Sequence, residues 1–384
     1  MSTAKPVVSM LRQPAREMAA TLRSLADYVE ALERESGQPL PQDVYGQGAL
    51  IHDFEQEIAT LLGKPAALFL PSGTLAQPLA LRIHAEQKGR HTIGLHPTSH
   101  LLLHEESGYQ ELWGLDAQHI GDEQAPFTSE DLRNLVYTPS SPLSAARGFG
   151  VGPAAELPAA VVWELPAREI GGQLPSWNDL QAQVAWAREH DIAVHFDGAR
   201  LWQCQAAYGQ SLATIAGLAD SVYVSFYKDL AGISGAMLLG EADFIAEAKV
   251  WARRAGGNLF SLYPYILAAK QGVAENLASV DSAVSYAREL GLALAEVTAV
   301  QVVPNPPQAA MFHLHIQMER EQLHRAIAAY AQEQGVEVLP KPRASYEQHG
   351  KPVQVCEIPV GRNAMQHPVA FWQQHLLALL QGAK

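Results

Sequence analysis

The sequence predicts an α/β protein built on a large, mixed, mostly parallel sheet, with a smaller C-terminal α+β domain. Three observations lead there. Short apolar runs at Ala66–Leu70, Ala159–Trp163, Ile192–Phe196 and Ser221–Phe226 have the character of strands covered on both faces, and helical stretches alternate with them. Two of those strands run out into ionisable residues, Asp197 and Lys228, at the carboxyl ends where parallel α/β sheets bind ligands. Beyond Met311 the pattern changes to alternating strands and amphipathic helices, the mark of a second compact unit.

In chain order, Pro14–Glu35 reads as a lead-in helix, with Leu22, Leu25, Tyr28, Val29 and Leu32 recurring on one face. A second helix, Ala49–Leu62, precedes the strand Ala66–Leu70, a turn, and a helix opening at Thr74 or Leu75. A short strand at Thr92–Leu95 leads into His-Pro-Thr-Ser-His. Thr138–Pro158, rich in Pro, Ser and Gly, reads as a long surface loop. The strand Ala159–Trp163 ends at Glu164, and the helix Pro175–His190 feeds the strand before Asp197. Helical patterns then cover Ala242–Arg254 and Leu262–Leu290. Met311–Ile316 alternates like a half-exposed strand. Met318–Gln334 is helical, Val336–Leu339 and Val353–Ile358 are strands, and Pro368–Leu380 is a closing helix. The domain reading is a helical segment over 1–45, a large ligand-binding domain over 46–260, and a connecting helix with a small domain over 261–384.

Composition narrows the function. Of 384 residues, 48% are hydrophobic and 17% charged, which describes a globular chain. Acidic residues outnumber basic ones 40 to 27, a net charge of −13 that argues against a nucleic-acid partner. Two cysteines, Cys204 and Cys356, are too few for a disulfide framework. No stretch has the length of a membrane span, and the opening residues lack the apolar core of a signal peptide. The expectation is a cytoplasmic protein with a small-molecule substrate and no membrane partner.

One cofactor needs a lysine and a carboxylate together at such an edge. Pyridoxal phosphate forms a Schiff base with a lysine, and a carboxylate against its ring nitrogen keeps that nitrogen protonated. Lys228 and Asp197 are the candidates. Asp197-Gly198 alone would serve equally as a turn, but Arg200, three residues on, can hydrogen-bond the phenolic oxygen of the same ring. Lys228 follows an apolar strand and precedes a loop with Gly232 and Gly235, where partial desolvation would lower its pKa and free the amine. Ser72-Gly73-Thr74 reads either as an ordinary helix N-cap or as a phosphate cup. His100, His104 and Glu105 raise the question of zinc, but no H-E-x-x-H motif is present and no metal is predicted. An imidazole stacked on a cofactor ring is the other use for such a histidine. His195 reads as structural. Arg168, in the loop before Gly171-Gly172, is open to either a solvated or a functional role.

Taken together, L-F-L-P-S-G-T, S-H-L-L-L-H-E, a glutamate before G-G-x-L-P, H-F-D-G-A-R-L and S-F-Y-K-D-L-x-G stand in the order found in the threonine aldolase/β-eliminating lyase family, which this chain resembles from Tyr45 to Gly257. The resemblance implies pyridoxal phosphate as cofactor and the aspartate aminotransferase-like fold, fold type I. It implies that Ser72, Gly73 and Thr74 hold the phosphate, and that His100 stacks on the ring and is a candidate acid/base. Asp197 and Arg200 would meet the ring nitrogen and phenolic oxygen, and Lys228 would carry the Schiff base. It also implies a homodimer or homotetramer with shared sites, in which Tyr45 could reach a neighbour's substrate.

The departures concern substrate. Glu164 is followed by Leu165, Pro166, Ala167 and Arg168 where the family reads Asn-Thr-His-Asn. The family's N-terminal Arg-Ser-Asp-Thr has no clear match, and Gln354 falls near the place of its C-terminal carboxylate-binding arginine, for which Arg168, Arg343 and Arg362 are alternatives. The expected function is a lyase cleaving a β-hydroxy-α-amino acid to glycine and an aldehyde. The alternatives are β-elimination or transamination on the same fold, and a non-catalytic pyridoxal phosphate-binding protein.

Overall fold

The protein is described here from a computed structural model covering residues 8–10, 17–137 and 157–383. The loop read at Thr138–Pro158 therefore lies almost wholly outside the described residues. The strands, in chain order, are β1 (Val8–Ser9), β2 (Ala66–Leu70), β3 (Thr92–Leu95), β4 (Asp116–His119), β5 (Ala160–Glu164), β6 (Ala193–Gly198), β7 (Ser221–Ser225), β8 (Ala236–Gly240), β9 (Val300–Val303), β10 (Met311–Gln317), β11 (Val336–Glu337), β12 (Ala344–Gln348) and β13 (Lys351–Pro359).

Two compact units share the chain. One comprises residues 18–167 and 174–275; the other comprises 1–17, 168–173 and 276–384. These divisions differ from the boundaries read from sequence at 45/46 and 260/261. Helix α1 (Met18–Ser36) belongs to the first unit, and the segment 168–173 leaves its neighbours to join the second.

The first unit holds a seven-stranded sheet in the order β2-β8-β7-β6-β5-β3-β4. Only β8 runs against the rest, so the sheet is mixed and mostly parallel, as expected. The carboxyl ends of β2, β3, β5, β6 and β7 consequently share one edge. Every residue of β6 and β7 is buried, so their apolar residues are not confined to one alternating face. Strand β4, Asp-Ala-Gln-His, is an edge strand with no buried residue and carries no apolar signature. Helix α1 has no fully buried residue, and Leu22 on its apolar face is exposed.

Helix α2 (Ala49–Leu61) packs on β2, and helix α3 (Gly73–Lys88) packs on several strands of this sheet. Ser72 caps it, its Oγ accepting from the Leu75 N–H at 3.3 Å, and Gly89 ends it in the left-handed region that glycine adopts freely. From its second half His84 reaches into the sheet. Ser221 Oγ, at the start of β7, lies 2.8 Å from His84 Nε2 and 2.7 Å from His195 Nδ1. One hydroxyl can give a proton to one ring and receive one from the other. Burial pushes His84 down to about 4 and His195 to about 3, so both rings are neutral near pH 7 and share that hydroxyl. His195 is thus structural, as its sequence context indicates.

In the second unit a four-stranded antiparallel sheet runs β12-β13-β10-β9, with Met311 opposite Pro359 and Gln317 opposite Val353. Strand β10 is less exposed than its alternation implied: Met311–Leu314 and Ile316 are all buried. The helix Val280–Leu294 packs on it, and Arg343 lies 3.4 Å from His313. The helical pattern read over Leu262–Leu290 breaks at the 3₁₀ turn Leu277–Ser279. Gly171 and Gly172 have positive φ, and a Cβ on them would stand 2.4 Å from the Val303 carbonyl and 2.9 Å from that of Met311. Close backbone approach therefore requires the glycine pair. Among the described residues no helix is long and apolar enough to cross a membrane.

Ser221→Ala leaves two buried imidazoles without their shared partner. An unsatisfied buried polar group costs about 1–3 kcal/mol, so the apparent Tm should fall by several degrees in a thermal melt; an unchanged Tm would show that the rings need no hydroxyl.

Candidate active site

The shared carboxyl edge collects most of the residues singled out from sequence. Asp197 sits near the end of β6, buried to 3% exposure, opposite Glu164 of β5 and Tyr223 of β7. Both carboxylate oxygens are held. Gln77 Nε2 donates to Oδ2 at 3.0 Å and the Ala199 N–H donates to Oδ1 at 3.1 Å. Neutral donors position the carboxylate without cancelling its charge, so it can still meet a cation. Its main-chain carbonyl accepts from the Leu165 N–H at 2.9 Å, fixing the way the chain leaves β5.

Gly73 opens α3 directly beside Tyr223. A Cβ at this position would lie 2.1 Å from the phenolic oxygen, so only glycine fits. The first N–H groups of a helix lack intrahelical partners and, with the helix dipole, favour an anion. Ser72 and exposed Thr74 add hydroxyls at the same turn. Tyr223 is buried, and burial, with the nearby Tyr227, Asp197 and Glu105, holds its phenol well above the usual range.

Lys228 follows β7 in a loop tied down at several points. The Gly232 N–H returns to the Phe226 carbonyl at 2.8 Å, and Gln203 Nε2 donates to Asp229 Oδ1 at 2.8 Å. Ser234 Oγ donates to the Pro71 carbonyl at 2.7 Å, joining this loop to the turn before α3. The half-buried lysine places Nζ 5.7 Å from the Tyr227 ring centroid. Arg200 stands just beyond β6, where Ser225 Oγ donates to the Ala199 carbonyl at 2.8 Å and Trp202 Nε1 to the Ser225 carbonyl at 3.0 Å.

His100 begins the short helix α4 (His100–Leu103), and its Nδ1 lies 3.0 Å from Glu105 Oε1. That bond, reinforced by the charge of Asp197, raises the imidazole pKa, while burial and the charge of Lys228 oppose it. The charges of Asp197 and Lys228 therefore both act on His100. His104 is exposed, with its ring 5.0 Å from that of His100. No metal-binding cluster occurs among the described residues.

Two candidates remain. Arg168 belongs to the second unit, where Nε donates to Glu357 at 2.8 Å and Nη1 lies 3.4 Å from Glu169. Arg343 shares both carboxylates, at 2.9 Å to Glu357 and 2.6 Å to Glu169. Gln354, near the expected carboxylate site, donates Nε2 to the Met318 carbonyl at 3.0 Å. Tyr45 is 49% exposed and has its ring edge-on to Phe260 at 5.4 Å, with Arg253 5.9 Å above it.

Two site residues were not singled out from sequence. Gln77 stands one helical turn after Gly73, a lone amide among Leu75, Ala76, Pro78 and Leu79; a polar side chain in so apolar a stretch signals a buried partner. Tyr223 sits one alternation after Ser221 in a buried strand, the same kind of signal.

These residues fit pyridoxal phosphate: a buried, donor-held carboxylate, a glycine cradle at a helix start, and a lysine and an imidazole within each other's electrostatic reach. A family model described as β-eliminating lyase matches residues 29–317. The chain belongs to the β-eliminating lyase family. A low-specificity L-threonine aldolase of Arabidopsis thaliana is 26% identical over 261 residues, 68% of this chain and 70% of that protein. A structure of a proposed L-allo-threonine aldolase from Listeria monocytogenes superposes with TM-score 0.84 at 33% identity, covering 99% of this lyase and 97% of its own chain. A structure of SPT with PLP shares the fold alone, at TM-score 0.65 and 16% identity over 98% of this chain and 86% of its own. Fold type I and pyridoxal phosphate, expected from the motifs, are thus the lyase's fold and cofactor.

Gly73→Ala should weaken cofactor binding by about tenfold or more, since about 1.4 kcal/mol of misfit at the helix start is a factor of ten. Titration of the apoprotein, followed by cofactor absorbance, reads this directly.

Proposed function

We propose that this lyase cleaves a β-hydroxy-α-amino acid between Cα and Cβ, giving glycine and an aldehyde, at the edge where Lys228, Asp197 and His100 converge. That convergence carries the reading, and the resemblance to threonine aldolases supports it. When bound, pyridoxal phosphate supplies an electron sink for the pair released as the bond breaks. Lys228 would hold the cofactor covalently and yield it to the substrate amine. Asp197, kept in place by Gln77 and Ala199, would keep the ring nitrogen protonated. Arg200 would hydrogen-bond the phenolic oxygen, and Ser72, Gly73 and Thr74 would seat the phosphate. His100 would stack on the ring and take the β-hydroxyl proton.

A homodimer or homotetramer fits the surface of the first unit. Phe260 is 65% exposed, and Val44, Tyr45 and Leu259 are exposed nearby in the same fold region, an apolar group that a second copy would cover. On that arrangement Tyr45 serves the neighbour's substrate. Two buried free thiols, Cys204 and Cys356, suit the reducing cytoplasm.

Lys228→Ala should abolish the imine absorbance of the loaded protein; survival of that band would refute the lysine assignment. Proton NMR of wild-type incubations with threonine, allo-threonine and phenylserine should show glycine with the matching aldehyde. Keto acid without glycine would point to elimination or transamination. Light scattering after size exclusion should give twice or four times the 41.7 kDa chain mass, and a monomer would overturn the assembly.

A further inference from the structure

We propose that Glu105 is a positioning residue that fixes the tautomer of His100, so that His100 presents Nε2 to the substrate's β-hydroxyl group. The inference rests on the aldolase reading for its chemistry and on the geometry of this pair for its existence.

A neutral imidazole carries its proton on one nitrogen, and the hydrogen bond made by the other decides which. Here Nδ1 lies 3.0 Å from Glu105 Oε1. An ionised carboxylate only accepts, so Nδ1 is the protonated nitrogen and Nε2 keeps its lone pair. The glutamate side chain is 1% exposed while the imidazole is 31% exposed, so the carboxylate backs the ring from the protein side. Its other oxygen, Oε2, is buried and has no hydrogen-bond partner among the described residues. A buried carboxylate with one strong donor depends on that donor, and the imidazole's orientation depends on it in turn.

The backbone shows the same commitment. Glu106 and Ser107 both lie in the left-handed region, at φ 49° and 57°, directly after Glu105. Side chains other than glycine occupy that region at a cost of roughly 1–2 kcal/mol each. These two residues reverse the chain behind α4, and the Gly108 N–H closes the turn on the Glu105 carbonyl at 2.8 Å. The turn anchors the backbone at Glu105, whose carboxylate lies against a histidine five residues earlier.

Other charges face the ring. Asp197 from β6 favours the imidazolium, Lys228 from the loop after β7 opposes it, and His104 lies alongside on the same element. Among the described residues only Glu105 bonds the ring, so its removal should dominate.

Glu105→Gln preserves shape but removes the charge, and its amide can donate to Nδ1 and so release the tautomer. The histidine titration, read by NMR on isotopically labelled holoenzyme with His100→Asn used for assignment, should move to lower pH in Glu105→Gln. The acid limb of kcat/KM, which reports the free enzyme's base, should move the same way. The kcat should fall roughly tenfold to hundredfold with KM and cofactor absorbance little changed, and Glu105→Asp should recover part of it. An unmoved His100 midpoint overturns the proposal, even if Glu105→Gln lowers stability. If the midpoint falls while the wild type makes no aldehyde, the pair stands and the aldolase reading fails.

Discussion

A negative charge kept out of water at the end of a strand is the constraint from which the site follows. Asp197 is buried in a sheet of apolar strands, and a lone ionised carboxylate in such a place would be prohibitively unfavourable. Two neutral donors, from α3 and from the chain just beyond β6, make it tolerable and orient it. That arrangement needs α3 packed close to β6 and β7, which in turn needs a glycine where the helix passes Tyr223. The charge, the helix position and the cradle are one solution to one problem.

The same edge is held by hydroxyls and indoles more than by ion pairs. Ser225, Trp202 and Ser234 each bond a main-chain carbonyl of another loop, so the segments bearing Arg200, Lys228 and Ser72 are referenced to a common frame. A rigid frame limits the entropy lost on binding and keeps reacting groups in register. On the far edge, neutral His84 and His195 share Ser221 and fill the space between α3 and the sheet with polar groups that need no counter-ion.

Much of this was legible before any coordinates. Buried strands betray themselves as apolar runs, so Ala66–Leu70 and Thr92–Leu95 match the structure residue for residue, and the helix Ala242–Arg254 does as well. Strand β4 was not legible, because an edge strand of Asp-Ala-Gln-His has no apolar pattern to read. The burial of His313 was hidden too, since the Arg343 side chain that approaches it comes from thirty residues away. In the site, residues whose chemistry is intrinsic, such as Lys228 and Asp197, announce themselves by position at strand ends. Gln77, Tyr223 and Glu105 matter through what they touch, and contact is a property of the folded chain.

The path of the backbone between the two units has a consequence for biosynthesis. Strand β1 pairs in parallel with β11, Ser9 Oγ donates to Glu337 at 2.7 Å, and the segment 168–173 packs with residues beyond 275. Pieces of one unit are therefore translated long before the remainder exists. The larger sheet can assemble as its strands leave the ribosome, but β1 and the loop after β5 must wait for β11 and the strands of the second sheet. Joining such distant segments adds little closure entropy per further residue, because that term grows only logarithmically. What it imposes is an order of events: the second unit completes last, and no unbroken stretch much shorter than the whole chain contains all of it, whereas residues 18–275 contain all of the first.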